Sequence, residues 1–392
     1  MSGGGLILLL LYLLVERIFL SQIIREIPLR ICVTGTRGKS SVTRLIAGAL
    51  REKGLKVLAK TTGSKPMLIF PEGTEKEIHR RGSPSILEGK DVLKTAAKLG
   101  ARAVVAEMMS IQSETIAAES AHLFRPHILV ITNVRPDHLV QMGKTKEDIA
   151  RCFASAIPES CAVFVLEDEF FPVYQDRASG ADARIIRVPK DAHDFDLKNL
   201  GSDTPFVQDV QLSLAVAEFI GVDSQTALTG MKKARQDFGS LKAWKFKDRA
   251  LAKSCVLVSA FAANDPESTK HVLEYLGEKD ALLGKKRIAL LNFRRDRGDR
   301  TQQWLKAMQQ GFLSDFDRIV LLGGHSQIVN DRLKTGSERP HCIARTGKSP
   351  FEIMADAVFQ EEENVVVGMG NMGGMGSKIV HYWEEVGEPY DL

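Results

Sequence analysis

Lys39, Ser40 and Ser41 close the stretch VTGTRGKSS at residues 33–41. Those residue types suit a polyphosphate: an ammonium for the outer phosphate oxygens, and a hydroxyl for the magnesium ion that travels with them. The usual phosphate loop also carries a glycine five residues before its Gly-Lys-Ser, but Val33 stands there and the nearest earlier glycine is Gly35. The surroundings supply what the spacing lacks. RICVT reads as a buried strand, and beyond the loop Val42, Leu45, Ile46, Ala49 and Leu50 share one helical face that ends at Lys53-Gly54. A glycine-bearing turn between strand and helix presents backbone N–H groups and a positive dipole end to an anion. Gly35, Thr36, Arg37, Gly38, Lys39, Ser40 and Ser41 are therefore the candidate phosphate-binding residues.

Four other groups stand at the ends of apolar runs, where ligands bind in open α/β sheets. Thr61-Thr62-Gly63 follows KVLAK; its hydroxyls line a phosphate site or form a simple turn, and both readings stay open. Glu107 ends AVVAEMMS, and a carboxylate after four apolar residues is costly without a cation or donors. It is a candidate magnesium ligand, or an acid capping a strand. In ITNVRPDHLVQMG, residues 131–143, Asp137 and His138 supply a metal ligand with its orienting partner, or the histidine is structural. The glycine-rich GMGNMGGMGSK, residues 368–378, has too little chain after it for a dinucleotide-binding unit. It suits close backbone approach to a substrate or nucleotide, or a methionine-rich turn.

Positioning these groups takes a large α/β frame. The chain has 392 residues, 44% of them hydrophobic, which exceeds what a single core usually serves, so two domains are expected. Apolar runs alternate with amphipathic stretches through KVLAKTTG, AVVAEMMS, HILVITNV, VLVSAF, RIALLNF, RIVLLGG and NVVVGMGN, the mark of mainly parallel sheets. A boundary is expected near 235–250, in the polar, basic RQDFGSLKAWKFKDRALAK, and residues 167–208 read as a variable insertion. The net charge of +4 is interspersed with acids, so no nucleic-acid partner is expected. The five cysteines lack CxxC spacing and read as buried thiols of a reducing compartment.

The N-terminus departs from this pattern. GGGLILLLLYLLV is uncharged, and after Glu16 and Arg17 the apolar character resumes in IFLSQII. A secretory signal would need a basic leading segment and a small-residue cleavage site, and neither precedes Pro28. A short membrane anchor is expected rather than a buried core helix. Arg17, Arg25 and Arg30 then place the rest of the chain in the cytoplasm.

These motifs together resemble the Mur ligase superfamily, ATP-dependent amide-bond formers that include the folylpolyglutamate synthases. TGTRGKSS is similar to that family's shortened phosphate loop, Glu107 to its magnesium-binding glutamate, and ITNVRPDHLVQMG to its Asp-His segment, whose histidine binds a second magnesium. In the distal half, FAANDPESTK resembles the DYAHxPxS segment, with Asn264 at the histidine position. NFRRDRGDRT is similar to the arginine–aspartate stretch that faces nucleotide. The resemblance covers residues 30–392. One departure is Asp209, in FVQDVQLSLAVA, where many relatives carry an asparagine; it bears on the adenine-side contacts.

The resemblance implies an α/β fold: a Mur-ligase-like P-loop ATPase domain over 28–240, a smaller Rossmann-like C-terminal domain over 241–392, and a short membrane anchor over 1–27. It implies ATP and two Mg2+ as cofactors. Lys39, His138, Arg297 and Arg300 would be catalytic; Asp296 would join the loop in binding ATP; Ser40, Glu107 and His138 would hold metal. Thr61, Thr62, Asn264 and Asp265 would meet substrate, and Arg297 or Arg300 would clamp the transferring phosphoryl group. GxRGKSxVTRL, KTTG, FAAND and RxDRxDRTQQ, with an apolar segment abutting the loop, closely resemble the poly-γ-glutamate synthase branch of bacterial capsules. That branch implies an enzyme of the bacterial cell membrane that phosphorylates the carboxylate of glutamate or polyglutamate and couples it to an amine, beside other membrane subunits of a synthase and export complex. Homo-oligomer formation stays open. The alternatives are a folylpolyglutamate-synthase-like ligase for a small acceptor, or a non-enzymatic, nucleotide-gated membrane scaffold.

Overall fold

The computed structural model describes residues 3–63, 65–80, 82–166, 170–189, 207–237, 239–248, 253–282, 284–333, 341–345, 347–357 and 363–392. The described residues up to Gln236 form one compact unit and those from Asp237 on a second.

The first unit runs α1 (Gly3–Glu26), β1 (Leu29–Thr34), α2 (Lys39–Glu52), β2 (Val57–Lys60), β3 (Met67–Ile69), β4 (Glu75–Glu77), α3 (Glu88–Lys98), β5 (Ala103–Glu107) and α4 (Ser113–Ala117), which passes into a π-helical segment, Ala118–Phe124. It continues with β6 (Ile128–Ile131), α5 (Leu139–Met142), α6 (Lys146–Ala154), β7 (Ala162–Leu166), α7 (Phe171–Ser179), β8 (Arg184–Val188), α8 (Val207–Phe219) and α9 (Ser224–Lys233). The sheet order is β4-β3-β2-β5-β1-β6-β7-β8. Six strands are parallel, and the hairpin β3–β4 adds antiparallel at one edge. Strands covered on both faces must be apolar throughout, which is why RICVT and AVVAE are unbroken runs. One apolar layer joins the sheet to α2, α8 and α9; the other joins it to α3, α6, α7 and the end of α1. Gly48 of α2 and Gly230 of α9 let those helices touch, since a Cβ on either would collide with the other's backbone. The C-terminal end of β1 lies between those of β5 and β6, where chain direction across the sheet switches and ligands bind.

α1 is exposed along its first part and packed against the core at its end. Residues 7–15 are 44–69% exposed, whereas Ile23, Ile24 and Ile27 are buried in the layer shared with α3. The Arg30 guanidinium locks this junction by donating to Ile24 O (3.0 Å), Ile27 O (2.6 Å), Phe124 O (3.0 Å) and Arg125 O (3.1 Å). Lys90 of α3 donates to Glu16 at 2.6 Å. Ile23, Ile24 and Ile27, within the 1–27 segment read from the sequence as an anchor, pack in the core. The span Ile7–Glu26 is long and apolar enough to cross a membrane.

The second unit runs β9 (Lys242–Asp248), β10 (Lys253–Ser259), α10 (Pro266–Glu278), β11 (Lys286–Phe293), α11 (Gly298–Gln309), β12 (Arg318–Gly323), α12 (Ser326–Leu333), β13 (His341–Arg345), α13 (Pro350–Ala357), β14 (Glu363–Gly370), α14 (Met375–Val386) and β15 (Glu388–Pro389). Its sheet order is β13-β12-β11-β14-β10-β9-β15, parallel from β13 to β10, with β9 and β15 antiparallel. The polar stretch read as a boundary contains strand β9. Among its described side chains Ala243 and Trp244 are buried and Phe246 packs partly against the core, while Lys242 and Lys245 are half-exposed. Of the expected insertion at 167–208, β8 is an edge strand of the first sheet, α7 packs in its core and α8 begins at Val207; residues 167–169 and 190–206 lie outside the described residues.

Candidate functional site

The loop between β1 and α2 bends at two glycines, Gly35 (φ 126°) and Gly38 (φ 81°). Other residues are strained there, and a Cβ on Gly35 would strike the Thr132 side chain and its backbone nitrogen. This close approach lets residues 132–135, after β6, brace the loop. Thr36 N donates to Asn133 O (3.0 Å) and Arg37 N to Asn133 Oδ1 (3.0 Å). Arg37 O accepts from Thr132 Oγ1 (2.6 Å) and Asn133 Nδ2 (3.1 Å), and Thr36 Oγ1 accepts from Arg135 N (3.0 Å). α2 starts at Lys39 without a side-chain cap, so its first N–H groups are presented to an anion. Lys39 Nζ folds back to Gly35 O (2.8 Å) and Thr36 O (3.3 Å), and Ser41 follows in the first turn.

Ser40 and Glu107 meet. Ser40 Oγ donates to Glu107 Oε2 at 2.6 Å, and Thr62 N donates to the same oxygen at 2.7 Å. Register explains the meeting: Val33 of β1 pairs with Glu107 of β5, so the carboxylate reaches the sheet edge beside the loop. Thr61 is buried, with its hydroxyl lacking a hydrogen-bond partner among the described residues. A hydroxyl and a carboxylate are hard oxygen donors of the kind Mg2+ takes, the rest of its shell being water and phosphate. The donors present therefore fit a magnesium–nucleotide complex.

His138 lies on the same side of the unit and has φ 46°, a conformation uncommon for a residue with a side chain. Asp137 holds it: His138 N donates to Asp137 Oδ1 at 2.9 Å, and Arg37 of the phosphate loop pairs with Asp137 Oδ2 at 2.9 Å. His138 Nε2 is 4.0 Å from Asp137 Oδ1, too far for a hydrogen bond. The loop and the Asp-His segment are thus one braced assembly.

Sequence reasoning noted Asp209 only as a departure and gave no role to Thr132, Asn133, Lys60 or Glu119. Asp209, in the first turn of α8, is buried against Gly38, where a Cβ would lie 2.8 Å from its Oδ2. That oxygen has no hydrogen-bond partner among the described residues. Burial pushes the Asp209 carboxyl up to about 7, against a smaller pull from Arg135.

The remaining candidates belong to the second unit. Asp296 pairs with Arg294 at 2.6 Å, which holds its carboxyl below the usual range. Arg297 pairs with Asp299 at 3.0 Å. Arg300, expected as a clamp, is buried and donates to Asn371 Oδ1 at 2.8 Å; its guanidinium braces the glycine-rich turn. Asn371 and Asn292 cross-link the ends of β14 and β11 through Asn292 Nδ2 to Asn371 O (2.5 Å) and Asn371 Nδ2 to Asn292 O (3.2 Å). Asp265 caps α10 by accepting from Ser268 N (2.8 Å) and Oγ (2.7 Å). Asn264 O accepts from Trp304 Nε1 at 3.1 Å.

Residues 33–234, which hold the loop, Glu107 and His138, match the Mur ligase middle domain. The chain belongs to the Mur ligase superfamily. This Mur ligase also matches, over residues 247–386, the poly-gamma-glutamate synthase CapB C-terminal domain. It is 29% identical to the capsule biosynthesis protein CapB of Bacillus anthracis, over 91% of this chain and 76% of that one. It is 29% identical to the PGA synthase CapB of Bacillus subtilis, over 91% and 90%. Among solved structures it resembles the bifunctional folylpolyglutamate synthase/dihydrofolate synthase of Yersinia pestis complexed with AMPPNP and Mn ion, with TM-score 0.67, 14% identity and coverage of 94% and 92%. The Mur ligase fold is therefore shared, and the chain is an ATP-dependent amide ligase.

Proposed function

We propose that this Mur ligase is the ATP-consuming ligase of a membrane-associated poly-γ-glutamate synthase. The observation that carries the site is the convergence of Ser40 and Thr62 on one oxygen of Glu107, beside an uncapped helix start and Lys39. The observation that favours the substrate is likeness to two CapB proteins along nine-tenths of the chain.

A carboxylate is a poor electrophile, so a side-chain carboxylate oxygen first takes the γ-phosphoryl group of ATP, giving an acyl phosphate and ADP. An incoming amine then attacks the acyl carbon, loses a proton and expels phosphate. Transfer of this kind depends on positioning and charge neutralisation. Lys39 and the first N–H groups of α2 would hold the β and γ phosphates, with Thr61 and Thr62 at the rim. A divalent ion held by Ser40 and Glu107, with a second at His138, would neutralise charge developing on the phosphoryl oxygens. Arg37, anchored on Asp137, keeps His138 in register with the loop. The exposed part of α1 would enter the cytoplasmic membrane and leave the ligase inside, next to the membrane partners of a polymer-exporting complex.

ADP release with and without glutamate, in membranes co-expressing the neighbouring genes, tests the reading. Glutamate-dependent release is expected. Release driven instead by a small folate-like acceptor would select the folylpolyglutamate-synthase-like ligase, and nucleotide binding without release would select the scaffold.

A further inference from the structure

Strand β2 ends in a lysine that is shut off from water. Lys60 is wholly buried, and burial pushes its ammonium below the ordinary lysine value. Among the described residues its one polar contact is Met109 Sδ, at 4.0 Å. A thioether cannot satisfy three N–H donors, and an ammonium out of water needs opposing charge. That charge surrounds the same methionine. Glu119, wholly buried in the π-helical segment, accepts from Met109 N at 3.2 Å and from Ser110 N at 3.0 Å. Glu107 begins the same turn two residues before Met109. The attractions acting on Lys60 come from Glu119 first, then Glu88 and Glu107. A π-helical insertion is often found at functional sites, and here it delivers the acid beneath the turn that follows β5.

We propose that Lys60 and Glu119 are positioning residues that together hold the turn 107–110, so that Glu107 presents its carboxylate to Ser40 and to the divalent ion. Without the lysine, two acids face one short turn with no buried ammonium beside Met109, and the turn relaxes to separate them. Glu107 then leaves its place beside the loop. This inference rests on Glu107 being a metal ligand, and the experiment separates the two.

Mn2+ binding to the full chain with AMPPNP is measured by electron paramagnetic resonance, beside nucleotide binding in EDTA and thermal unfolding. Glu107→Gln tests the underlying reading; unchanged Mn2+ affinity in that variant overturns it. For Lys60→Met, which keeps the stem and removes the charge, about tenfold weaker Mn2+ binding with unchanged metal-free nucleotide binding is expected. The Mg2+ concentration for half-maximal turnover should rise equally, with kcat at saturating Mg2+ kept. Glu107→Gln losing Mn2+ while a folded Lys60→Met binds it as tightly as the parent, or tighter, overturns the role of Lys60; tighter binding would make the lysine a repelling charge. Should Lys60→Met fail to fold, Glu119→Gln, which keeps the side chain's shape, carries the test: about tenfold weaker Mn2+ binding supports the proposal, and parental affinity overturns it.

Discussion

Replacing Asp209 with asparagine should make the protein more stable at alkaline pH and not at acid pH. The carboxyl is sealed against Gly38 with one oxygen unpartnered among the described residues, and burial raises it from 3.8 to about 7. The folded state therefore holds the proton more tightly than the unfolded chain. Stability associated with this group is full below about pH 4, falls as pH rises, and is lost above about pH 7. At about 1.4 kcal/mol per pH unit, ionised Asp209 costs roughly 4 kcal/mol at pH 8. The amide removes that charge but carries one N–H donor more than the protonated acid, with no acceptor for it among the described residues, at about 1–3 kcal/mol. Asp209→Asn should thus gain roughly 1–3 kcal/mol at pH 8 and lose a similar amount at pH 4. Urea unfolding of the nucleotide-free chain between pH 4.5 and 8.5, with amide exchange in β1 and α2 as the local probe, measures the difference. A variant-minus-parent difference that stays level across that range refutes the reasoning. An anion at the start of α2 makes the ionised form costlier still, so nucleotide affinity of the parent should fall with pH and that of the variant should not.

Lys39→Ala should abolish ATP turnover with unfolding unchanged; glutamate-stimulated hydrolysis surviving in it would remove the loop from the phosphate site. His138→Ala should bind nucleotide as the parent does and fail to form acyl phosphate, and a normal acyl-phosphate trapping yield would make the histidine structural. Thr132→Val keeps the side chain's shape but loses the 2.6 Å bond to Arg37 O, at about 1 kcal/mol; equilibrium binding should show ATP affinity several-fold lower, and unchanged affinity would mean the loop holds its shape unaided. Deleting residues 1–15 should release a folded ligase from membranes. Deleting 1–27 removes three buried isoleucines, each contributing about 2 kcal/mol, and should yield aggregated protein by size-exclusion chromatography; a folded, active product would refute the core role of α1.

The readable parts of the fold were those whose residues have one reasonable environment. Cys32, Val33, Val104 and Val105 tolerate only a strand covered on both faces, and Gly35 and Gly38 suit a turn with positive φ. Less readable were elements whose residues suit several environments. Lys242, Lys245 and Lys247 of β9 lie in what reads as a linker, because a strand flanked on its outer side only by the two-residue β15 tolerates polar side chains. Glu75–Glu77 has the composition of a loop and pairs only because β3 offers an antiparallel edge. In α1 one apolar composition suits lipid and core alike, so the sequence shows where the helix is but not where the core begins.

Sequence alone determined that a strand, a glycine-bearing turn and a helix start occur in that order with lysine and serine at the tip, because that depends on neighbours in the chain. It also determined that an acid ends a second strand and that an Asp-His pair follows a third. Tertiary structure decided that Ser40 and Thr62 share one oxygen of Glu107, that Arg300 turns into its own unit, and that Lys60, Glu119 and Asp209 lose their water. Those outcomes depend on strand register and on what covers a charged group, and solvation is a property of the assembled fold, not of the residue.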